Sequence, residues 1–132
     1  NQIGAMKKET YLEAMLKVLQ NCWEVLRPGG RMVLVLKRFV RSRRVVKLDL
    51  DIRKLCEMAG FVWEETKLFK LPSRSFWRIL YRKKFGDSVP ELDTLDYEFV
   101  MCFRKPPLAE QAAQERLARV ELEAFEKREG GG

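Results

Sequence analysis

The stretch CWEVLRPGGRMVLVL, residues 22–36, limits the possible folds more than any other part of the sequence. It begins inside an amphipathic run that predicts a helix over residues 10–27. Pro28 disfavours helical geometry in the residue before it, and Gly29-Gly30 supplies the free dihedral angles of a tight reversal. Met32 to Leu36 is continuously apolar, which is typical of a strand covered on both faces, as in a parallel sheet. The stretch therefore indicates an α/β unit.

A second helix and strand follow in the same order. Asp49 or Asp51 is expected to cap a helix whose apolar positions recur at helical spacing, and Gly60 is expected to end it in the left-handed conformation. Further strands are predicted at residues 62–69 and 97–103. Alternating helices and strands favour a layered sheet with short connections. The fold class expected is α/β: part of a doubly wound, Rossmann-like sheet of about three strands with flanking helices.

The remaining segments are less regular. Residues 37–47 are basic and without periodicity, which predicts a loop. Residues 73–86 favour a short helix, although their aromatic density would also suit a strand, and residues 87–96 read as a polar loop. From residue 108 onwards, strong helix formers with a thin apolar stripe predict a charged helical tail. At the other end, Thr10 followed three residues later by a glutamate predicts a capping box for the first helix.

The positive charge is concentrated in two places. The chain has a formal net charge of +7, and residues 31–47 and 67–84 each hold seven Lys or Arg and no acid. Such clusters favour a polyanion as partner, the alternative being solvated loops that only promote solubility. DNA phosphates are the expected ligands. The candidate nucleic-acid-binding residues are Lys37, Arg38, Arg41, Arg43, Arg44, Lys47, Arg74 and Arg78.

Several function classes are excluded or disfavoured. The chain has no His and only three Cys, far apart in apolar surroundings, so a His-based triad is excluded, no zinc motif is present, and buried reduced thiols are expected. No signal peptide or apolar run long enough to cross a bilayer is visible, which predicts a cytoplasmic protein. The chain does not begin with Met, and we interpret it as a piece of a longer protein.

Aromatic residues can fill a core or contact a base. Trp23 and Trp63 are predicted to pack in the core from their helical and strand registers. For Trp77 core and interface stay equally open. Phe39 is predicted to pack in the core, the alternative being contact with an extruded base.

Four stretches together resemble the carboxyl half of class I S-adenosylmethionine-dependent methyltransferases, most of all amino-methylating DNA methylases. Gln2-Ile3-Gly4 resembles the loop after the catalytic motif, and LRPGG with its strand resembles the fifth-strand unit. LCEMAGF resembles the turn into the sixth strand. LPSRSFWRILYRKK followed by DYEFVMCFRK resembles the closing segment and final antiparallel strand. The likeness covers about residues 2–105.

This resemblance implies a function that the chain cannot complete alone. It implies methyl transfer from S-adenosylmethionine to N4 of cytosine or N6 of adenine in DNA, as in restriction-modification systems. The Gly-rich cofactor loop is absent, and so is the catalytic motif, which has Asp, Asn or Ser before Pro-Pro and an aromatic residue after it. No catalytic or cofactor-binding residue is therefore assigned, and the piece is expected to be inactive alone. Residues 1–105 would then be the end of a methyltransferase domain and residues 106–132 a tail. The missing N-terminal half or a partner subunit would supply the rest.

Two other functions stay open. One is a non-catalytic nucleic-acid-binding module that keeps only the basic surface. The other is a methyltransferase acting on RNA or a small molecule, since the LRPGG unit is common to many methyltransferases.

Overall fold

The computed structural model describes residues 8–73 and 75–130. The initial Gln2-Ile3-Gly4 therefore lies outside the described residues. The helices are α1 (Lys8–Val25), α2 (Leu48–Ala59), α3 (Phe76–Phe85) and α4 (Leu108–Gly130), with 3-10 turns at Gly86–Ser88 and Leu92–Asp96. The strands are β1 (Arg31–Lys37), β2 (Phe39–Arg41), β3 (Arg44–Val46), β4 (Val62–Lys70) and β5 (Tyr97–Arg104).

The three long strands form one sheet in the order β1-β5-β4. β5 runs antiparallel to both neighbours, pairing Leu34 with Met101 on one side and Thr66 with Met101 on the other. β1 and β4 therefore run parallel to each other, with the last strand inserted between them in the opposite direction. The predicted α/β fold and its final antiparallel strand are confirmed.

The main core lies between this sheet and helices α1 and α2. Leu19 of α1, Ile52 of α2 and Phe103 of β5 are each at most 1% exposed. Trp23 and Trp63 pack against these residues, as predicted. Trp23 meets the ring of Phe61 edge to face, with 5.3 Å between the centroids. Such aromatic pairs add to the free energy gained from area burial.

The opposite face of β1 is open. Burial alternates along the strand, so that Val33 and Val35 remain 59% and 61% exposed. The prediction of a strand covered on both faces is wrong for the described part of the chain. In that part no strand pairs with the outer edge of β1 either. An open apolar edge of this kind is an aggregation hazard unless something covers it.

The Pro-Gly-Gly turn joins α1 to the end of β5. Gly29 has a φ of +83° and donates its N–H to the carbonyl of Lys105, at 2.7 Å, while the Lys105 N–H returns to the carbonyl of Gly30 at 2.8 Å. The ammonium of Lys105 donates to the carbonyls of Trp23 and Leu26, at 2.7 and 2.9 Å. A cation at the carboxyl end of a helix satisfies free carbonyls and complements the helix dipole.

Two predicted N-caps are wrong, whereas the predicted C-cap is confirmed. Thr10 lies inside α1, which already includes Lys8. The N-cap of α2 is Lys47 without a side-chain bond, and Asp49 and Asp51 both lie inside the first turn of the helix. Gly60 ends α2 with a φ of +108°, and the N–H of Phe61 bonds the carbonyl of Cys56, as in a Schellman motif.

Helix α4 extends away from the rest of the chain. None of its residues is buried. Its first turn is held by a bidentate pair between Arg104 and Glu110, at 2.9 and 2.8 Å, and this guanidinium lowers the pKa of Glu110. The apolar side chains beyond that turn, such as Leu117 and Val120, are about 60% exposed.

Candidate nucleic-acid interface

The basic segments meet at one end of the sheet. β1 ends at Lys37 and β4 at Lys70, and β5 begins beside them, because Lys37 pairs with Glu98 and Lys70 with Tyr97. The hairpin β2–β3, which follows β1, and the segment that follows β4 therefore both begin at the carboxyl ends of these strands. Ligands of open α/β sheets bind at this end. We call the part formed by residues 39–46 and 75–96 the edge module.

The first half of the edge module is a β-hairpin where a loop was predicted. β2 and β3 pair antiparallel, with Arg41 opposite Arg44. The two turn residues, Ser42 and Arg43, both have positive φ, 53° and 61°. Two-residue hairpin turns of the primed type need this geometry and favour Asn-Gly. Ser-Arg is an uncommon choice, which is why the hairpin was missed.

A small core of its own joins the hairpin to α3. Val89, Leu92 and Leu95 are buried, and Val40, Val45, Tyr81 and Phe85 pack around them. The prediction of a polar loop over residues 87–96 is therefore wrong. Its apolar residues were visible in the sequence, but they follow neither a helical nor a strand period because they lie in and beside 3-10 turns.

Arg38 has a structural role. Its guanidinium donates to both carboxylate oxygens of Asp49, at 2.8 and 3.1 Å, and lies 4.7 Å from the centre of the Phe99 ring. The side chains of Arg38 and Asp49 are only 12% and 8% exposed. A bidentate pair at this depth holds both partners firmly, because an uncompensated charge here would be costly. Arg38 thus fixes the start of the hairpin to α2.

Two more candidates are engaged in ion pairs. The Lys47 ammonium lies 2.8 Å from Glu91. The Arg78 guanidinium lies 2.7 Å from Asp93 and 3.2 Å from Asp96, with its side chain 19% exposed. These pairs hold the edge module together and reduce the charge that either cation offers to a ligand. Arg74 lies outside the described residues.

The remaining candidates are exposed. Lys37, Arg41 and Arg44 form no ion pair with any residue that the structure describes. Arg43 lies over the ring of Phe85, 4.3 Å from its centre, and Lys84 lies 5.5 Å from the same ring. Lys84, from the second basic segment, was not among the predicted site residues. Only the contact with Phe85, which brings two remote segments together, identifies it.

The edge module also carries exposed aromatic side chains. Phe39 is 41% exposed, so the prediction that it packs in the core is wrong. For Trp77 the sequence favoured neither a core nor an interface position. Its side chain is 53% exposed and contacts Phe76 and Tyr81 edge to face. The first two turns of α3 therefore carry several exposed apolar side chains, namely Phe76, Trp77, Ile79 and Leu80.

The cysteines differ in exposure, and the acids form no metal-sized cluster within the described residues. All three cysteines are free thiols, but only Cys56 is fully buried, while Cys22 and Cys102 are partly exposed. Burial raises the pKa of Cys56 to about 12, so this thiol stays protonated at neutral pH. Among the residues that the structure describes, no three His, Cys, Asp or Glu side chains lie close enough to hold a metal ion.

The residues that the structure describes do not fit a complete S-adenosylmethionine site. Such a site needs a Gly-rich turn that leads from a strand into a helix, so that backbone N–H groups approach the ligand. Here Gly29, Gly30 and Gly60 all precede strands, and Gly86 follows a helix. No glycine of the described chain follows a strand directly.

Comparison with solved structures agrees with this partial fold. Crystal structures of one protein from Thermus thermophilus, assigned as a DNA modification methylase, superpose on the chain with TM-scores of 0.57 for the selenomethionine derivative and 0.56 for the S-adenosyl-L-methionine complex, both at 22% identity. A third structure gives 0.55 at 24% identity. The match covers 74% of this chain but only 38% of that protein in the first two structures. The likeness shows that the chain shares its fold with this part of that protein.

Comparisons of the sequence identify neither a family nor a curated relative. No family model matches the chain, and no curated protein matches it. In the described residues, no helix is both long and apolar enough to cross a membrane.

Proposed function

We propose that this chain is the C-terminal portion of an S-adenosylmethionine-dependent DNA methyltransferase that methylates an exocyclic base amine, N4 of cytosine or N6 of adenine. The observation that carries the proposal is the sheet order, with β5 antiparallel between the parallel strands β1 and β4. The structural neighbours, assigned as a DNA modification methylase, share this fold, and one of them is a complex with the cofactor. The basic edge module supports DNA as the substrate.

Two features support a portion rather than a whole enzyme. The chain spans 38% of the neighbour, and β1 presents an open edge and an open apolar face at Val33 and Val35. A fourth strand added beside β1 would pair with its free N–H and C=O groups. Residues 1–105 would be the end of the methyltransferase domain, with residues 106–132 as a charged helical tail. The N-terminal half, or a partner subunit, would bring the cofactor site and the catalytic groups.

The roles within such an enzyme follow from this division. The missing part would bind the methyl donor and hold the target amine, whereas this chain would complete the sheet and hold DNA at the carboxyl ends of the strands. Phosphate contacts orient DNA but carry no sequence information, so the recognition sequence would be set by other residues. A cytoplasmic location stays a prediction.

Methyl transfer by the full-length protein tests this proposal. With radiolabelled S-adenosylmethionine and duplex DNA, we expect label in N6-methyladenine or N4-methylcytosine after digestion to nucleosides. Label at C5 of cytosine, or only in RNA or a small molecule, contradicts the amine proposal. This chain alone is expected to show no calorimetric binding of the cofactor. Tight binding by these 132 residues contradicts the division of the site.

A charge placed on the open face of β1 tests the missing half. Val35→Lys should leave this chain as stable as before, because Val35 is 61% exposed. In the full-length protein it should lower both stability and methyl transfer, because the lysine would be buried without a partner. Val120→Lys on α4 is the matched control, with the same residue type and the same 61% exposure. Equal effects of the two changes would contradict a covered β1 face.

Of the alternatives, a non-catalytic nucleic-acid-binding module has a specific observation in its favour, namely the edge-module cations that pair with no described acid. It predicts DNA binding without methyl transfer by the full-length protein.

A further inference from the structure

The two basic segments form one surface. In the sequence, Arg43 and Lys84 are 41 positions apart. In the fold both lie over the ring of Phe85, at 4.3 and 5.5 Å from its centre. Phe85 in turn packs with Val40 and Val45 of the hairpin around the buried Leu92. The small core therefore fixes the hairpin tip against the carboxyl-terminal turn of α3.

The acids of the edge module are engaged in ion pairs. Each of its four carboxylates has an ion pair with Arg38, Lys47, Arg78 or Arg82. The carboxylates are Asp87, Glu91, Asp93 and Asp96. No described acid lies within 4 Å of the hairpin-tip arginines or of Lys84. The charges divide into neutralised pairs that stabilise the module and an un-neutralised set at its surface.

We propose that Arg41, Arg43, Arg44 and Lys84 form a single binding surface for the phosphate backbone of duplex DNA. We call these four residues the phosphate ridge. The proposal rests on the proposed function for the identity of the partner, and it specifies which cations act. It leaves out Arg38, Lys47 and Arg78, whose charges are neutralised within the fold, and it adds Lys84.

The chemistry of the ridge suits a row of phosphates. Three of its members are arginines, whose planar guanidinium groups donate two parallel hydrogen bonds to a phosphate. The hairpin tip projects them from a short, narrow ribbon, with Arg41 and Arg44 facing each other across β2 and β3. Both side chains are exposed. Stacking on Phe85 limits the freedom of Arg43 and so lowers the entropy lost on binding.

The position of the ridge is compatible with catalysis elsewhere in the protein. It lies at the carboxyl ends of β1 and β4, where a substrate of an α/β sheet approaches. DNA held there would cross the edge of the sheet towards the missing half. The ridge therefore acts in positioning DNA and takes no part in methyl transfer itself.

Binding of a short duplex as a function of salt tests the ridge. With fluorescent duplex DNA and this chain, the slope of log K against log salt is expected to be about −3.6, from about 0.9 per phosphate contact and four contacts. Arg41→Gln/Arg43→Gln/Arg44→Gln should lower the magnitude of that slope by about 2.7. Circular dichroism checks that each variant keeps its fold.

Two matched controls separate the ridge from net charge. Arg116→Gln/Arg119→Gln/Arg128→Gln removes the same three charges from the exposed helix α4 and should leave the slope unchanged. Lys84→Gln should lower the magnitude of the slope by about 0.9, whereas its neighbour Lys83→Gln should not change it. Lys83 is also exposed, but only Lys84 contacts Phe85. Equal effects within either matched pair would overturn the ridge.

Failure of the ridge can be told apart from failure of the proposed function. If the triple hairpin variant of the full-length protein methylates DNA with an unchanged KM, the ridge is wrong and the methyltransferase proposal stands. If this chain binds duplex RNA more tightly than duplex DNA, the assignment to DNA is wrong. If KM for DNA rises while kcat stays constant, the phosphate ridge and the methyltransferase proposal both stand, because the variant then loses only DNA binding.

Discussion

The main core lies between two helices and a three-stranded sheet, whereas the edge module is built on three buried residues, Val89, Leu92 and Leu95. The main core is almost wholly apolar. The edge module surrounds its few apolar residues with ion pairs, whereas its hairpin-tip arginines and Lys84 have no described acidic partner. Both are held by the same strands, since the module starts where β1 and β4 end.

This difference separates the part that carries most of the stability from the part that we propose to bind DNA. Regular layers bury most of the apolar surface, and their contacts support one another across the sheet. The edge module buries little, so it is expected to open at a lower free energy than the sheet. Binding surfaces are often built on such inserted segments, because a rigid scaffold positions them while their own sequence stays free to vary.

Core truncation should have the largest effect and should differ between the two regions. Phe103→Ala, at a fully buried site on the central strand, is expected to destabilise the chain by about 3–5 kcal/mol in urea unfolding. Leu92→Ala should instead open the edge module locally. Hydrogen exchange should then show lost protection in residues 92–96 and in the hairpin, with β5 still protected. A uniform loss of protection would mean that the two regions unfold as one.

Breaking the ion pair that joins the two regions should have the next largest effect. Arg38→Gln leaves the carboxylate of Asp49, 8% exposed, without its bidentate partner. We expect a loss of about 3 kcal/mol, in the range found when one partner of a buried pair is removed. Arg38→Met/Asp49→Leu should recover much of it, because neither charge then remains buried. Arg41→Gln, on the exposed side of the same hairpin, should change stability by less than about 0.5 kcal/mol.

Replacing Gly60 tests a contact that belongs to the main core alone. Gly60→Ala places a side chain at a φ of +108° and within 3.0 Å of the Trp23 ring. The left-handed conformation alone costs about 1–2 kcal/mol, and the crowding adds to it. In a Trp23→Leu background the crowding is relieved, so the cost of Gly60→Ala should fall. An unchanged cost would assign the whole effect to the backbone.

The layers of this fold could be predicted from the sequence because their patterns are local and periodic. The three long strands, α2 with its C-cap at Gly60, and α3 follow from apolar spacing and glycine placement. The hairpin could not be predicted, since its Ser42-Arg43 turn lacks the usual glycine. Asp49 looked like a cap, but the deciding interaction was its contact with Arg38, 11 positions earlier.

The position of the candidate site could be predicted from the sequence, but the individual cations that form it could not. Charge clustering predicts a basic surface at the carboxyl end of β1, because the composition and the direction of the strand can both be read from the sequence. Separating Arg41 from Arg38 requires knowing which acids lie nearby, and those come from residues 49–96. Lys84 becomes a candidate only when Phe85 is seen beneath Arg43. Pairings between remote segments leave no periodic signal.

The thiol of Cys56 reports on the main core without involving the edge module. Burial raises its pKa to about 12, so above about pH 9 the unfolded chain releases this proton while the folded chain keeps it. Folding stability is therefore full below that pH and falls as pH rises towards 12. Cys56→Ala should remove this part of the alkaline loss. Thiol labelling at pH 8 should be equally slow in Leu92→Ala and wild type, unless the module and the core open together.

The smallest expected effect belongs to Trp77, which is large and aromatic but 53% exposed. Trp77→Ala should lower the free energy of unfolding by less than about 1 kcal/mol. The Trp77 ring is half exposed and meets Phe76 and Tyr81 edge to face. Trp23→Ala is the control, with an expected loss of about 3–5 kcal/mol and a ring packed between Phe61 and Lys105. Emission spectra should show that Trp77 accounts for the most red-shifted fluorescence. A loss comparable to that of Trp23→Ala would mean that the edge module has an interior as large as the main core, and the contrast between the two regions would not hold.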